Sequence, residues 1–187
     1  MVIETAKIPK HWNYFLCIED DLLHLSRWIE FAPENFGCFS VELARLLMTC
    51  SSEVDVVAKA LCARISQTAA ASSINRYRDV LASHYRNMPQ NRVFAPRYGL
   101  TLSPWTNWAE PNSPPDWWLA NNKIKHHRDE NFHLASLQHT LNAAAGLFTL
   151  LILYYSDRSK PLTPVPRLFH SEKYAYRDGD MLVFLPS

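Results

Sequence analysis

Between Trp117 and Arg128 the chain reads Trp-Trp-Leu-Ala-Asn-Asn-Lys-Ile-Lys-His-His-Arg, which sets two large apolar anchors ahead of two amides, two lysines, two histidines and an arginine. On one helix Asn122 and His126 stand one turn apart and face the same way, as do Asn121 and Lys125. An imidazole takes or gives a proton near neutral pH, and lysine and arginine donors stabilise charge developing on a phosphoryl group. The set suits phosphate chemistry, with His126 and Asn122 as candidate catalytic residues and Asn121, Lys123, Lys125, His127 and Arg128 as candidate substrate-binding residues. A plainer role is open to the same residues: Lys123, Lys125 and Arg128 as a solvated face, and His126 or His127 bonding a carbonyl near a helix end. His126 and His133 would lie two turns apart on one face of an unbroken helix, but no zinc-type carboxylate spacing accompanies them, so no metal and no other cofactor is expected.

A second polar group, Ser51-Ser52-Glu53-Val54-Asp55, interrupts an otherwise apolar helical stretch. If two helices pack antiparallel, Glu53 or Asp55 would serve as a supporting acid that orients His126. The alternative is a structural salt bridge between helices. Four of the six tryptophans (105, 108, 117 and 118) fall close together. With Arg92 and Arg97 they suit stacking of single-stranded bases, or else they wedge a segment onto the core or form a dimer interface.

These residues need helices to carry them. Phe15, Leu22, Leu25 and Ile29 predict a first helix over residues 12–31, with Glu19, Asp20 and Asp21 on its wet side. Ser40 is a candidate N-cap for a long second helix over 41–65, on which Asp55 and Lys59 form an i,i+4 pair. Ser72 or Ser73 caps a third helix through residue 87. Prolines at 89, 96, 104, 111, 114 and 115 forbid a continuous helix over 88–115, where residues 93–95 and 98–102 read as short strands. Pro114-Pro115-Asp116 opens a fourth helix, and an apolar fifth runs over about 132–155. Arg177-Asp178-Gly179-Asp180 marks a turn before a strand at residues 181–184, which is expected to pair with the insertion.

The expected fold is mainly α: one domain over 1–187, with a bundle of about five helices (11–87 and 116–156), a Pro/Trp-rich insertion (88–115) and a C-terminal tail (157–187) that adds a small β element. A 48% hydrophobic and 20% charged composition excludes wholesale disorder, and a net charge of +1 excludes a global field that would steer the protein onto nucleic acid. The four cysteines lack CxxC spacing and read as packed thiols. The four glycines form neither a GxGxxG nor a phosphate loop, and there is no GxSxG elbow. Residues 1–10 lack a secretory apolar region, and residues 143–155 fall short of the ~20 needed to span a bilayer. The expectation is a cytoplasmic protein with no membrane partner.

The helical order and the run Asn122-Lys123-Ile124-Lys125-His126 resemble the HEPN superfamily of helical-bundle proteins, over roughly residues 11–87 and 116–156. The family motif is an arginine, a polar residue, a short spacer and a histidine near the start of a late helix. Here Asn121 stands where the family has its arginine. The upstream Glu53 and Asp55 resemble an acidic position some members carry. The resemblance implies a homodimer that engages RNA or a nucleotide, and a diverged metal-independent endoribonuclease in which Asn122 positions His126. The alternatives are a non-catalytic dimerising interaction module that binds a protein partner, and a small-molecule binding protein with a pocket between the insertion and the bundle.

Overall fold

A computed structural model describes residues 8–66, 71–157, 161–172, 174–177 and 180–183, the last two segments as backbone. It is mainly helical, as expected: α1 Lys10–Leu25, α2 Val41–Ile65, α3 Ile74–His84, α4 Asp116–His126, α5 Arg128–Asn131 and α6 Leu137–Tyr154, with strands β1 Val93–Ala95, β2 Leu100–Leu102, β3 Tyr174–Arg177 and β4 Asp180–Val183.

The predicted caps hold α2 and α3. Ser40 Oγ accepts from the Leu43 amide at 3.1 Å, and Ser73 Oγ accepts from the Arg76 amide at 3.5 Å. α1 stops at Leu25, six residues before the predicted end, because Ser26 donates back to the Leu23 carbonyl at 2.8 Å and tighter turns follow. Phe31 nevertheless stays buried, packed against Tyr98 at 4.9 Å between ring centroids. α6 begins at Leu137 rather than near 132, since Ser136 caps it through the His139 amide and residues 132–134 form a separate short turn. α6 is buried almost throughout, packed on α1, α2, α4 and β2. It is the one helix among the described residues long and apolar enough to cross a membrane, and 78% of it is buried inside the fold.

Glu19 corrects the solvent-facing assignment given to the acidic run of α1. It is 2% exposed, and its carboxylate accepts from the amides of Arg167, Leu168 and Phe169 at 2.9, 2.9 and 3.3 Å. Burial pushes its carboxyl above the ordinary range, and the three amides pull the other way. With the Trp12 indole donating to the Pro164 carbonyl, this pins the tail to α1.

The insertion is an antiparallel hairpin with Val93 opposite Leu102 and Ala95 opposite Leu100. Gly99 supplies the left-handed turn residue at φ +62°. The tail forms its own hairpin, Tyr174 opposite Val183, and among the described residues it meets the insertion through an isolated bridge between Phe94 and His170 and an Arg92–Glu172 ion pair at 3.3 Å. The expectation of one sheet shared by insertion and tail is therefore replaced by two hairpins. Residue 184 of the predicted last strand, and the turn residues 178–179, lie outside the described residues.

Trp105, Trp108 and Trp117 are each at most 2% exposed and wedge the insertion onto the bundle. The Trp117 indole donates to the Pro104 carbonyl at 2.9 Å, and Trp105 meets Trp117 edge to face at 5.4 Å. α6 passes this cluster at Gly146, where a Cβ would stand 3.2 Å from Trp117 and 3.3 Å from Trp105. Buried this way, the three rings cannot stack exposed bases, so the base-stacking role for them is set aside.

Candidate functional site

α4 follows from its sequence: Pro115 precedes it, Asp116 complements the dipole in its first turn, and Trp117, Ala120, Asn121 and Ile124 make the buried stripe. Asn121 belongs to that stripe, at 8% exposed, packed inward with Trp117 and Ile124. This corrects its assignment as a ligand-facing residue: the helical phase that seats Trp117 also turns Asn121 away from solvent. Asn122 is half-buried and His126 exposed one turn later, with no hydrogen bond between their side chains among the described residues. Lys123 and Lys125 are exposed on the outer side.

The helix ends at His126. His127 leaves helical geometry at φ −141°, ψ 56°, and the chain restarts with Arg128 in α5. Asn131 donates to the His127 carbonyl at 2.9 Å and fixes the corner. The break removes the continuous face that would have aligned His126 with His133, and no metal-type cluster of His, Cys, Asp or Glu exists among the described residues. His127 and Arg128 are exposed; Arg128 Nη2 lies 3.6 Å from Met48 Sδ on α2.

The two carboxylates on α2 go elsewhere. Glu53 Oε1 lies 2.6 Å from His11 Nδ1, in a pair whose side chains are 26% and 14% exposed for histidine and glutamate, joining α1 to α2. Asp55 accepts from the Tyr77 hydroxyl at 2.7 Å and from Lys59 Nζ at 2.6 Å, so the predicted i,i+4 pair is present and a link to α3 is added. Burial, then the bond to Asp55, pushes the Tyr77 phenol well above its usual range. The expectation that Glu53 or Asp55 orients His126 is corrected. α2 meets the α4–α5 corner at Met48, and at ~1.5 Å per residue Glu53 and Asp55 lie about 8–10 Å further along the helix. Their role is the structural one, stitching helices together. Ser51, beside them, is buried, with no hydrogen-bond partner for its hydroxyl among the described residues.

The corner makes two adjoining depressions. One, of about 470 Å³, is walled by residues 125–130, including Asp129 and Glu130. The other, of about 750 Å³, is a groove in which Arg128 and Phe132 face Val41, Arg45 and Met48 of α2. Arg128 and Asp129 border both. Around them, Lys123, Lys125 and Arg128 form no ion pair among the described residues; Lys10, Arg27, Arg64, Arg86 and Arg97 also form none, and the corner differs in gathering three such cations at one helix end. Part of this placement is expected of any helix, because cations near a C-terminus complement the dipole.

What the fold and corner define is a class: a mainly α helical bundle with an exposed basic helix end beside an apolar groove. Compared with protein-family models, curated proteins and solved structures, the chain matches none.

The His11–Glu53 pair is the functional-looking contact that sequence reasoning missed. Its partners are 42 residues apart, and no local pattern connects them.

Proposed function

We propose that this protein engages RNA or a nucleotide through the corner between α4 and α5. The observation that carries the reading is the exposure of Lys123, Lys125 and Arg128, free of ion pairs among the described residues, on either side of His126 and His127. Cations left without carboxylates favour a phosphate over a neutral ligand. The adjoining groove, with Val41, Met48 and Phe132, offers apolar surface to an unstacked base. Asp129 and Glu130 at the rim limit the net positive charge, which favours a short contact with few phosphates.

If the bound RNA is cleaved there, His126 is the residue available for proton transfer. The 2′-oxygen bonds to phosphorus and loses its proton, the bond to the 5′-oxygen breaks, and that oxygen takes up a proton. The products are a cyclic phosphate and a 5′-hydroxyl. Lys123, Lys125 or Arg128 would stabilise the added phosphoryl charge. No carboxylate among the described residues orients His126, so the proposal rests on binding. The test is RNA binding and cleavage by the whole chain with a chelator present, beside His126→Ala. Binding with chelator-resistant cleavage lost in the variant supports the full reading. Binding without cleavage confines it to recognition, and no binding overturns it.

A second reading, a dimerising interaction module, is favoured by Phe39 and Val41, which are 51% and 76% exposed. Val41 lines the groove, and Phe39 packs edge to face on Phe132. Light scattering of the wild type beside Phe39→Ser/Val41→Ser decides it: a dimer that the variant converts to monomer supports this reading, and a wild-type monomer removes its homodimer form.

A further inference from the structure

At the opposite end of α4 a half-open cavity of about 450 Å³ lies between the insertion and the first turns of α4 and α6. That is within the ~300–1,000 Å³ typical of small-molecule sites. Its apolar wall is Leu102, Pro104 and Trp117, and its polar groups include Asp116, His139 and Asn142.

Asp116, His139 and Asn142 each present an acceptor, beside Thr101, Ser103, Thr106 and Gln138, whose hydroxyl and amide groups both donate and accept. Asp116 Oδ1 accepts from Asn107 Nδ2 at 3.2 Å, and its carboxylate forms no ion pair among the described residues. His139 Nδ1 lies 2.8 Å from the Leu134 carbonyl oxygen. A carbonyl only accepts, so Nδ1 carries the proton, and in the neutral ring Nε2 is an acceptor. Asn142 spends one of its two amide donors on the Gln138 carbonyl at 3.0 Å, which leaves its amide oxygen as an acceptor and one N–H.

The cavity is poor in groups that hold an anion. No lysine or arginine among the described residues lines it. The first amides of α6 are all committed: Leu137 donates to Cys38, Gln138 to Phe36 and His139 to Ser136 Oγ. The α6 N-terminus therefore offers no free donors to a phosphate or carboxylate, and at the α4 N-terminus the Asp116 carboxylate itself occupies the first turn and opposes a bound anion.

We infer that this cavity is a binding site for a small organic cation, a protonated amine or amidinium on a flat apolar body. The charged head meets Asp116 and the acceptors of His139 and Asn142, and the body lies against Trp117 and Pro104. This site is separate from the corner proposed for RNA and takes the opposite charge.

Calorimetric titration of the whole chain with benzamidine, benzamide and benzoate tests it, since the three probes share a ring and differ in head-group charge. Benzamidine binds; benzamide binds roughly tenfold more weakly, the scale of one charge-assisted hydrogen bond; benzoate does not bind. Asp116→Asn brings benzamidine down to the benzamide level. Because Asp116 also complements the α4 dipole, a second variant guards against a folding failure: Gln138→Arg, at an exposed cavity position, abolishes benzamidine binding and admits benzoate. Benzamidine binding no tighter than benzamide, absence of binding by all three probes, or benzamidine affinity unchanged in the Gln138→Arg protein overturns the inference.

Discussion

The two ends of α4 are opposite in chemistry. At its C-terminal end Lys123, Lys125 and Arg128 are exposed without carboxylate partners among the described residues, beside two histidines and an apolar groove. At its N-terminal end Asp116, His139 and Asn142 border a cavity lined by no lysine or arginine among the described residues. The helix has 11 residues and so spans about 16 Å, roughly twice the ~8 Å screening length at physiological salt. The ends are therefore electrostatically independent. One helix, anchored by Trp117 and Ile124, separates the two proposed sites, which differ in the charge they are proposed to take.

The largest expected effect breaks one end only. Reversing Lys123, Lys125 and Arg128 together to glutamate lowers affinity for single-stranded RNA by roughly a hundredfold or more at low salt, by fluorescence anisotropy, and leaves benzamidine binding at physiological salt intact. In the wild type, log affinity against log salt falls with a slope near −2, about 0.7 for each of three phosphate contacts. A flat salt dependence, or a variant that binds as well as the parent, removes the phosphate-binding assignment of this end.

Asn121→Arg sharpens the comparison, because it restores the residue type of the resembled motif at a position on the inner face. A buried guanidinium with no partner costs about 3 kcal/mol, seen as a lowered urea midpoint, and brings no gain in RNA cleavage. A stable, more active Asn121→Arg protein would show that the side chain reaches the ligand after all.

Gly146→Ala tests how firmly the tryptophan cluster seats the helix. The added methyl presses on Trp117 and Trp105, whose rings are held by the Pro104 carbonyl and by each other. Overpacking of about 2 kcal/mol, offset by about 1 kcal/mol of helix propensity, leaves a net loss near 1 kcal/mol. Benzamidine affinity should fall, since Trp117 is a cavity wall, while RNA affinity stays. The smallest effect is Glu53→Gln, which loosens the His11 link by under about 1 kcal/mol in chemical denaturation and leaves both ends of α4 unchanged. Loss of RNA binding in that variant would return Glu53 to the site.

Much of this fold is legible in the sequence, because local chemistry sets it. The Ser40 and Ser73 caps, the Asp55–Lys59 pair, the hairpin in the proline-rich insertion and the buried centre of α6 all follow from short-range patterns. The phase of Asn121 was also available: Trp117, Ala120 and Ile124 recur at helical spacing and carry Asn121 inward with them. Contacts between distant segments were not legible. Glu19 looks like a solvated acid until the tail brings three amides to it from about 150 residues away. Glu53 is claimed by His11, and α2 meets Arg128 at Met48, so neither acid of α2 serves His126; only the packing of the helices decides this.

The most direct test of the central claim is an NMR titration of the whole chain with a short single-stranded RNA, following backbone amide shifts. The account predicts progressive, salt-sensitive shifts clustered at residues 122–132, with residues 101–107 around the cavity unmoved. Shifts confined to the insertion, or none at saturating RNA, would contradict it.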